Sequence, residues 1–239
     1  MSGIFRKSIL GILALILSCS TVDPKNSYTD FKFSSSSKKP TTFKSKKRIA
    51  VQTFIDEREN DNISYSGLLL IPLVPYANEY FNKPELVDNF KINFLLEIES
   101  AKAMKTELES YSVFQKVFDT DRTFPKDADY LIRVRVKKNQ IYNKETMYGI
   151  NTLALQYYYF VLFMLDTDYY RAKADFELEI IDLKTNQTAF KKKFVRELSH
   201  FQSGISKKRI IGQSFLSFNE RIIQTMSEEI IQYFEENKK

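Results

Sequence analysis

"KADFELEIIDL" (173–183) and "TAFKKKFVREL" (188–198) decide the fold. In the first run Ala174, Phe176, Leu178 and Ile180 alternate with Asp175, Glu177 and Glu179. Side chains of a strand point alternately to its two faces, so this is a strand with one buried face. The second run pairs with it as a hairpin. A three-residue loop, Lys184-Thr185-Asn186, puts Leu183 opposite Gln187. Ile180 then meets Phe190 and Phe176 meets Phe194 on the apolar face, while Glu179 meets Lys191 and Glu177 meets Lys193 on the other. A slip of one residue breaks both sets. Asn186 tolerates the left-handed backbone that such a loop needs.

Working outward, "DYLIRVRVKKNQIY" (129–142) alternates Ile132, Val134 and Val136 with Arg133, Arg135 and Lys137, and reads as a further strand wet on one side. "RIAVQTF" (48–54) is a short β-branched strand, and "VFQKVF" (113–118) a short strand or turn. Residues 91–110 carry Phe94, Ile98, Ala101, Met104 and Leu108, with Tyr111 following, at steps of three and four. Residues 212–236 carry Phe215, Phe218, Ile222, Met226, Ile230 and Phe234 in the same way, with Gly212 or Ser214 at the start. Both are amphipathic helices. The sum is α+β: a mostly antiparallel sheet of about four to five strands with two long amphipathic helices on one face.

The N-terminus differs in kind. Arg6 and Lys7 precede the apolar run from Ile9 to Leu17, which is too short to span a bilayer and reads as a signal peptide over 1–18. Ser18 and Cys19 follow, and Cys19 is the only cysteine in 239 residues. Residues 20–48 hold eight Lys or Arg against Asp23 and Asp30, whereas positions 49–239 hold 26 basic and 28 acidic residues. The formal charge of +6 is therefore a property of the N-terminal region, and from the body's balance no basic face for nucleic acid is inferred. "SSSSKKPTT" is poor in apolar residues, so 19–47 is expected to be a flexible basic tether reaching roughly 30 Å. Its lysines either lean on anionic head groups or serve only to keep the segment soluble. A single α+β domain over 48–239 follows.

Catalytic motifs are not found. His200 is the only histidine and is read as a surface residue. No nucleophile–base pair, metal-ligand spacing or phosphate loop is present, and six glycines make no glycine-rich cradle. No catalytic residue, metal or cofactor is expected. "FIDEREND" (54–61) gathers four carboxylates, read as a solvated loop with Asp56 paired to Arg58.

Two apolar segments lie outside the strand and helix patterns. "LLLIPLVPY" (68–76) includes Leu70, Ile71, Val74 and Tyr76, and "LALQYYYFVLFML" (153–165) includes Tyr158, Phe160 and Phe163. Two readings stand: burial in the core, or a joint exposed surface for a partner or membrane, since tyrosine-rich apolar clusters favour boundaries.

Leu15-Ile16-Leu17-Ser18-Cys19 resembles the lipobox of bacterial lipoproteins, with Leu17 bulkier than the usual residue there. The resemblance implies cleavage before Cys19 and acylation of its thiol and new amino group. Two or three acyl chains hold a protein at a bilayer where one is marginal. Ser20 after the cysteine leans toward the outer membrane. Phe54-x-Asp56-x-Arg58, then Pro72, Val74, Pro75 and Tyr76, Asp129-Tyr130, Tyr148-Gly149 and a final hairpin and helix resemble a group of bacterial envelope lipoproteins. More distant likenesses are to transport-auxiliary lipoproteins, the N-terminal domain of TolB-like proteins and the lipopolysaccharide-assembly lipoprotein. These imply a non-catalytic accessory that binds an envelope protein or assembles with itself. The alternative is a lipid or glycolipid carrier with an apolar cleft.

Overall fold

A computed structural model describes residues 28–36, 43–66, 75–121, 125–146, 168–202 and 207–237. The segment read as a signal peptide and Cys19 lie outside them. The strands are β1 (Thr29–Asp30), β2 (Arg48–Gln52), β3 (Ile55–Asp56), β4 (Asn62–Ser66), β5 (Pro75–Phe81), β6 (Ile92–Asn93), β7 (Lys116–Thr120), β8 (Tyr130–Thr146), β9 (Asp168–Asp182) and β10 (Gln187–Gln202). The helices are α1 (Leu96–Ser110) and α2 (Lys207–Glu236). Two 3₁₀ turns, Pro84–Leu86 and Asp88–Phe90, link β5 to β6.

The α+β class stands, but the sheet is mixed and eight-stranded, not a mostly antiparallel sheet of four to five strands. Its spine is β10-β9-β8-β2-β7. β9 covers one edge of β8. The other edge is shared in turn by β2, β3 and β5, and β4 pairs outside β5. β2 is parallel to both β7 and β8. The physical sign of this lies in "IAV": Ile49, Ala50 and Val51 are all fully buried, as a parallel strand covered on both faces requires.

The hairpin register is the expected one through its length: Phe190 faces Ile180, Lys191 Glu179, Lys193 Glu177 and Phe194 Phe176. The turn itself differs. Gln187 pairs with Asp182, so the loop has four residues, 183–186, and a bulge between Thr188 and Phe190 restores the register. The Asp182 carboxylate accepts hydrogen bonds from the Lys184 and Thr185 N–H groups at 2.8 and 3.3 Å, which curls Leu183 out of the ladder. Asn186 takes φ 56°, the left-handed conformation.

Both helices pack on one face over the main core, which joins Ile132, Val134, Phe176 and Leu178 to Met104, Leu108, Phe215 and Met226. The whole α2 stripe from Phe215 to Phe234 is buried. α1 is shorter than expected. Residues 92–93 are strand, Phe94 precedes the helix, and Ile98 is 45% exposed. Glu99 reaches back to accept the Leu95 N–H at 2.6 Å, capping the helix start. α2 begins at Lys207, before Gly212 and Ser214. A Cβ on Gly212 would lie 2.5 Å from the Phe90 carbonyl oxygen, so this glycine admits the 3₁₀ turn to the helix.

The region read as tether is in part docked on the body. β1 pairs parallel with β6, and Phe31, Phe33 and Phe43 pack against the main core. Ser36 donates its N–H to Glu107 at 3.0 Å and its hydroxyl to the same carboxylate, which is fully buried. Averaging over a Ser- and Lys-rich window conceals the three phenylalanines that hold the chain down.

Candidate functional site

The sheet face away from the helices is not uniformly wet. At the turn end a second cluster of Ala50, Ala128, Leu131 and Ile181 is buried, with Phe118 and Leu183 packed on it. In the middle lies a charge lattice. Lys191 bridges Glu177 and Glu179 at 2.9 and 3.1 Å, Arg133 and Arg135 approach Glu179 at 3.7 and 3.8 Å, and Lys193 reaches Asp175 at 3.0 Å. The Lys191 hydrogen bond holds the Glu177 carboxyl below its ordinary range. These charges are paired with one another across the strands.

A bulge between Val136 and Lys138 then inverts the parity of β8. Asn139, Ile141 and Asn143 turn inward and Tyr142 outward. Asn139 donates to the Asn219 side-chain oxygen of α2 at 2.7 Å, inside the core. Beyond the bulge the open face becomes aromatic. Ile63 of β4 pairs with Tyr80 of β5, and Tyr80 with Tyr142. The Tyr80 and Tyr142 rings lie 4.6 Å apart, and those of Tyr142 and Tyr169 6.2 Å apart. Ile63 and Tyr80 are 41% and 42% exposed. Burial, then the neighbouring Tyr80 and Tyr169, push the Tyr142 phenol up.

This row leads to one end of the sheet, and there the two apolar insertions begin and end. Ser66 pairs with Ala77, Pro75 with Thr146, Glu145 with Asp168, and Asp168 with Gln202. The stems of 67–74 and 147–167 are thus adjacent in one sheet. Leu70, Ile71, Val74, Tyr158, Phe160 and Phe163 lie outside the described residues, and Tyr76 falls in β5. Sequence patterning alone did not reveal the exposed row, because Tyr80 and Tyr142 become neighbours only through the β5–β8 pairing.

Arg58 secures this half of the sheet. It is buried and donates to Asp56 at 2.8 and 3.2 Å, to the Asn82 and Asn139 carbonyls at 3.0 and 3.3 Å, and to Glu85. Lys83 adds a second cation to Asp56 at 2.9 Å. Burial works to raise the Asp56 carboxyl, but hydrogen bonds from Arg58 and Lys83 outweigh it and hold it at about 2. The Asp56–Arg58 pair is as expected. The loop is solvated at Glu57, Glu59 and Asp61, as expected, but Glu85 and Lys83, supplied from the connection after β5, close Asp56 and Arg58 into a buried cluster.

On the helix side, a cavity of about 350 Å³ lies between the first turns of α2 and the Tyr170 and Leu198 side chains. It is neither enclosed nor wholly apolar. His200 pairs with Tyr170 in the β9–β10 ladder, and its side chain lies outside the described residues. Among the described residues no three His, Cys, Asp or Glu side chains are grouped to hold a metal ion. No helix among them is long and apolar enough to cross a membrane.

No protein-family model matches the chain, and no curated protein matches it. Solved structures do. A DUF330 protein from Xanthomonas campestris is 8% identical, with a TM-score of 0.51, covering 88% of this chain and 98% of its own. A protein described as a neuraminyllactose-binding hemagglutinin homologue from Helicobacter pylori is 10% identical, with a TM-score of 0.46 and the same coverage. A protein described as a lipoprotein from Caulobacter crescentus is 10% identical, with a TM-score of 0.29, covering 55% of this chain and 76% of its own. The first likeness is one of fold.

Proposed function

We propose that the chain is a lipoprotein of the bacterial envelope, anchored through acyl chains on Cys19, whose body acts without catalysis. It presents the insertion end of its sheet to an envelope protein, with a second copy of the chain as the homotypic case. One observation carries this reading: the strand ends that bracket both apolar insertions are neighbours, and the Ile63–Tyr80–Tyr142–Tyr169 row, exposed at Ile63 and Tyr80 and half-buried at Tyr142 and Tyr169, runs up to them. Contiguous exposed apolar surface of this kind marks interaction sites, and tyrosine is favoured there because its ring buries area while its hydroxyl stays wet. The lipobox and Ser20 support an outer-membrane address.

Photo-crosslinking in cells tests the contact. A crosslinker at Tyr80 or Tyr142 is expected to give a discrete adduct, and one at Lys184, at the opposite end of the sheet, none. An adduct of twice the chain mass identifies self-assembly. Adducts from all three positions alike, or none from Tyr80 and Tyr142, overturn the reading. The anchor is tested separately: Cys19→Ala is expected to leave an unprocessed or soluble form, and a processed variant that still enters the detergent phase overturns it.

A further inference from the structure

Most of α2 packs on the sheet through its apolar stripe. Along Gln213, Ser217 and Arg221 it stands off Tyr170 of β9 and Leu198 of β10, and the cavity of about 350 Å³ lies between them. Leu198 and Phe218 give it apolar walls, while Gln213, Ser217 and Arg221 bring polar groups from successive turns of the helix. Tyr170 also lines it and is only 2% exposed, and its hydroxyl has no hydrogen-bond partner. Buried hydroxyls are nearly always paired, and an unpaired one is a standing cost. Burial alone pushes this phenol up, so it remains a donor across the physiological range. Among the described residues the Arg221 guanidinium makes no ion pair or hydrogen bond, and the side chains of Gln213 and Ser217 make none either. The cavity thus joins one unpaired cation and a buried unpaired donor to an apolar wall.

We infer that this cavity binds a small amphipathic carboxylate, its apolar body against Leu198 and Phe218 and its anionic head between Arg221 and the Tyr170 hydroxyl. A single guanidinium matches a monoanion, and charge-assisted hydrogen bonds to it are the strong kind. The volume is at the small end of the range for ligand pockets, about 300–1,000 Å³, which favours a compact ligand over a diacyl lipid. The site is independent of the anchor and of the aromatic row.

Calorimetry on the full chain with 4-phenylbutanoate as probe tests this, with 4-phenylbutan-1-ol and 4-phenylbutylamine as neutral and cationic controls. The carboxylate is expected to bind saturably at one site, about tenfold or more tighter than the alcohol, and the amine not at all. Arg221→Gln is expected to weaken the carboxylate about tenfold. Tyr170→Phe is expected to weaken it while leaving the melting temperature of the free protein unchanged or raised, because the buried hydroxyl it removes has no partner. Absence of saturable binding, equal affinity for acid and alcohol, or affinity unchanged in Arg221→Gln overturns the inference. Arg221 is exposed, so that variant keeps the test standing whatever Tyr170→Phe does to folding.

Discussion

Arg58 shows how one side chain ties distant parts of the chain together. Its guanidinium bonds to β3, to the connection after β5 and to the β8 backbone. Removing one member of a buried ion cluster leaves the others charged and unpaired, typically at about 3–5 kcal/mol. Arg58→Ala is therefore expected to cost that much in urea unfolding. Asp56 sets the pH dependence. Its folded-state pKa of about 2 lies below the ordinary 3.8, so the unfolded chain binds its proton first as pH falls. Its contribution is full above pH 4 and is lost as pH falls through about 2. The gap is worth on the order of 2 kcal/mol, at 1.36 kcal/mol per unit. The stability difference between wild type and Asp56→Asn is expected to be constant above about pH 5 and to shrink between pH 4 and 2. A difference that stays flat through that window removes Asp56 from the acid response. The Asp56–Arg58 pair was legible from its spacing, but Glu85 and Lys83 were not, because only the fold brings them from 25 or more residues away.

Hairpin and helix patterns are legible wherever one face is buried and one is wet, because periodicity then fixes both register and orientation. That is why Phe176–Phe194 and Glu179–Lys191 fell where alternation put them. The logic fails where local polar groups intervene. Asp182 gathers two backbone N–H groups and enlarges the turn, and the bulge after Thr188 absorbs the extra residue. The parity change in β8 was equally hidden, since Asn139 and Asn143 are polar residues buried by their hydrogen bonds. The stems of the insertions could not be joined from sequence, because the β5–β8 pairing is a contact between distant runs. Asn186 offers a test at this scale. A β-branched side chain at φ 56° is a steric outlier, and left-handed backbone costs about 1–2 kcal/mol. Asn186→Val is expected to destabilise by about that amount and Asn186→Gly by little or nothing, as read from chemical unfolding.

The docked N-terminal stretch changes how far the body can stand from the proposed anchor at Cys19. A tether running to residue 47 would allow an extended span of about 100 Å from Cys19, at roughly 3.3–3.6 Å per residue. With Tyr28 fixed on the body the limit falls to about 30 Å. The fixing points are many. Tyr28 donates to Asp88, and the Lys91 ammonium sits 5.1 Å from its ring centre. Thr29 donates to the Lys91 carbonyl at 2.7 Å, Ser34 to Glu220 at 2.9 Å, and Gln224 to the Ser34 carbonyl at 3.0 Å. Phe31 packs against Phe94 with the rings tilted and their centres 4.5 Å apart. The Ser36–Glu107 bonds close the series, with Glu107 held inside α1. Such a segment behaves as part of the fold, and cleavage within it requires local opening. Brief trypsin treatment of the native protein is therefore expected to spare Lys32, although a lysine in an open tether is cut at once. Phe31→Ala with Phe33→Ala removes two aromatic anchors of a nine-residue stretch, each worth about 3–5 kcal/mol in a full core site and less at a half-buried one. That pair is expected to open Lys32 to trypsin while β9, β10 and α2 keep their hydrogen-exchange protection. Rapid cutting at Lys32 in the native protein would restore the long tether, and loss of protection throughout the body would make 28–36 part of its cooperative core.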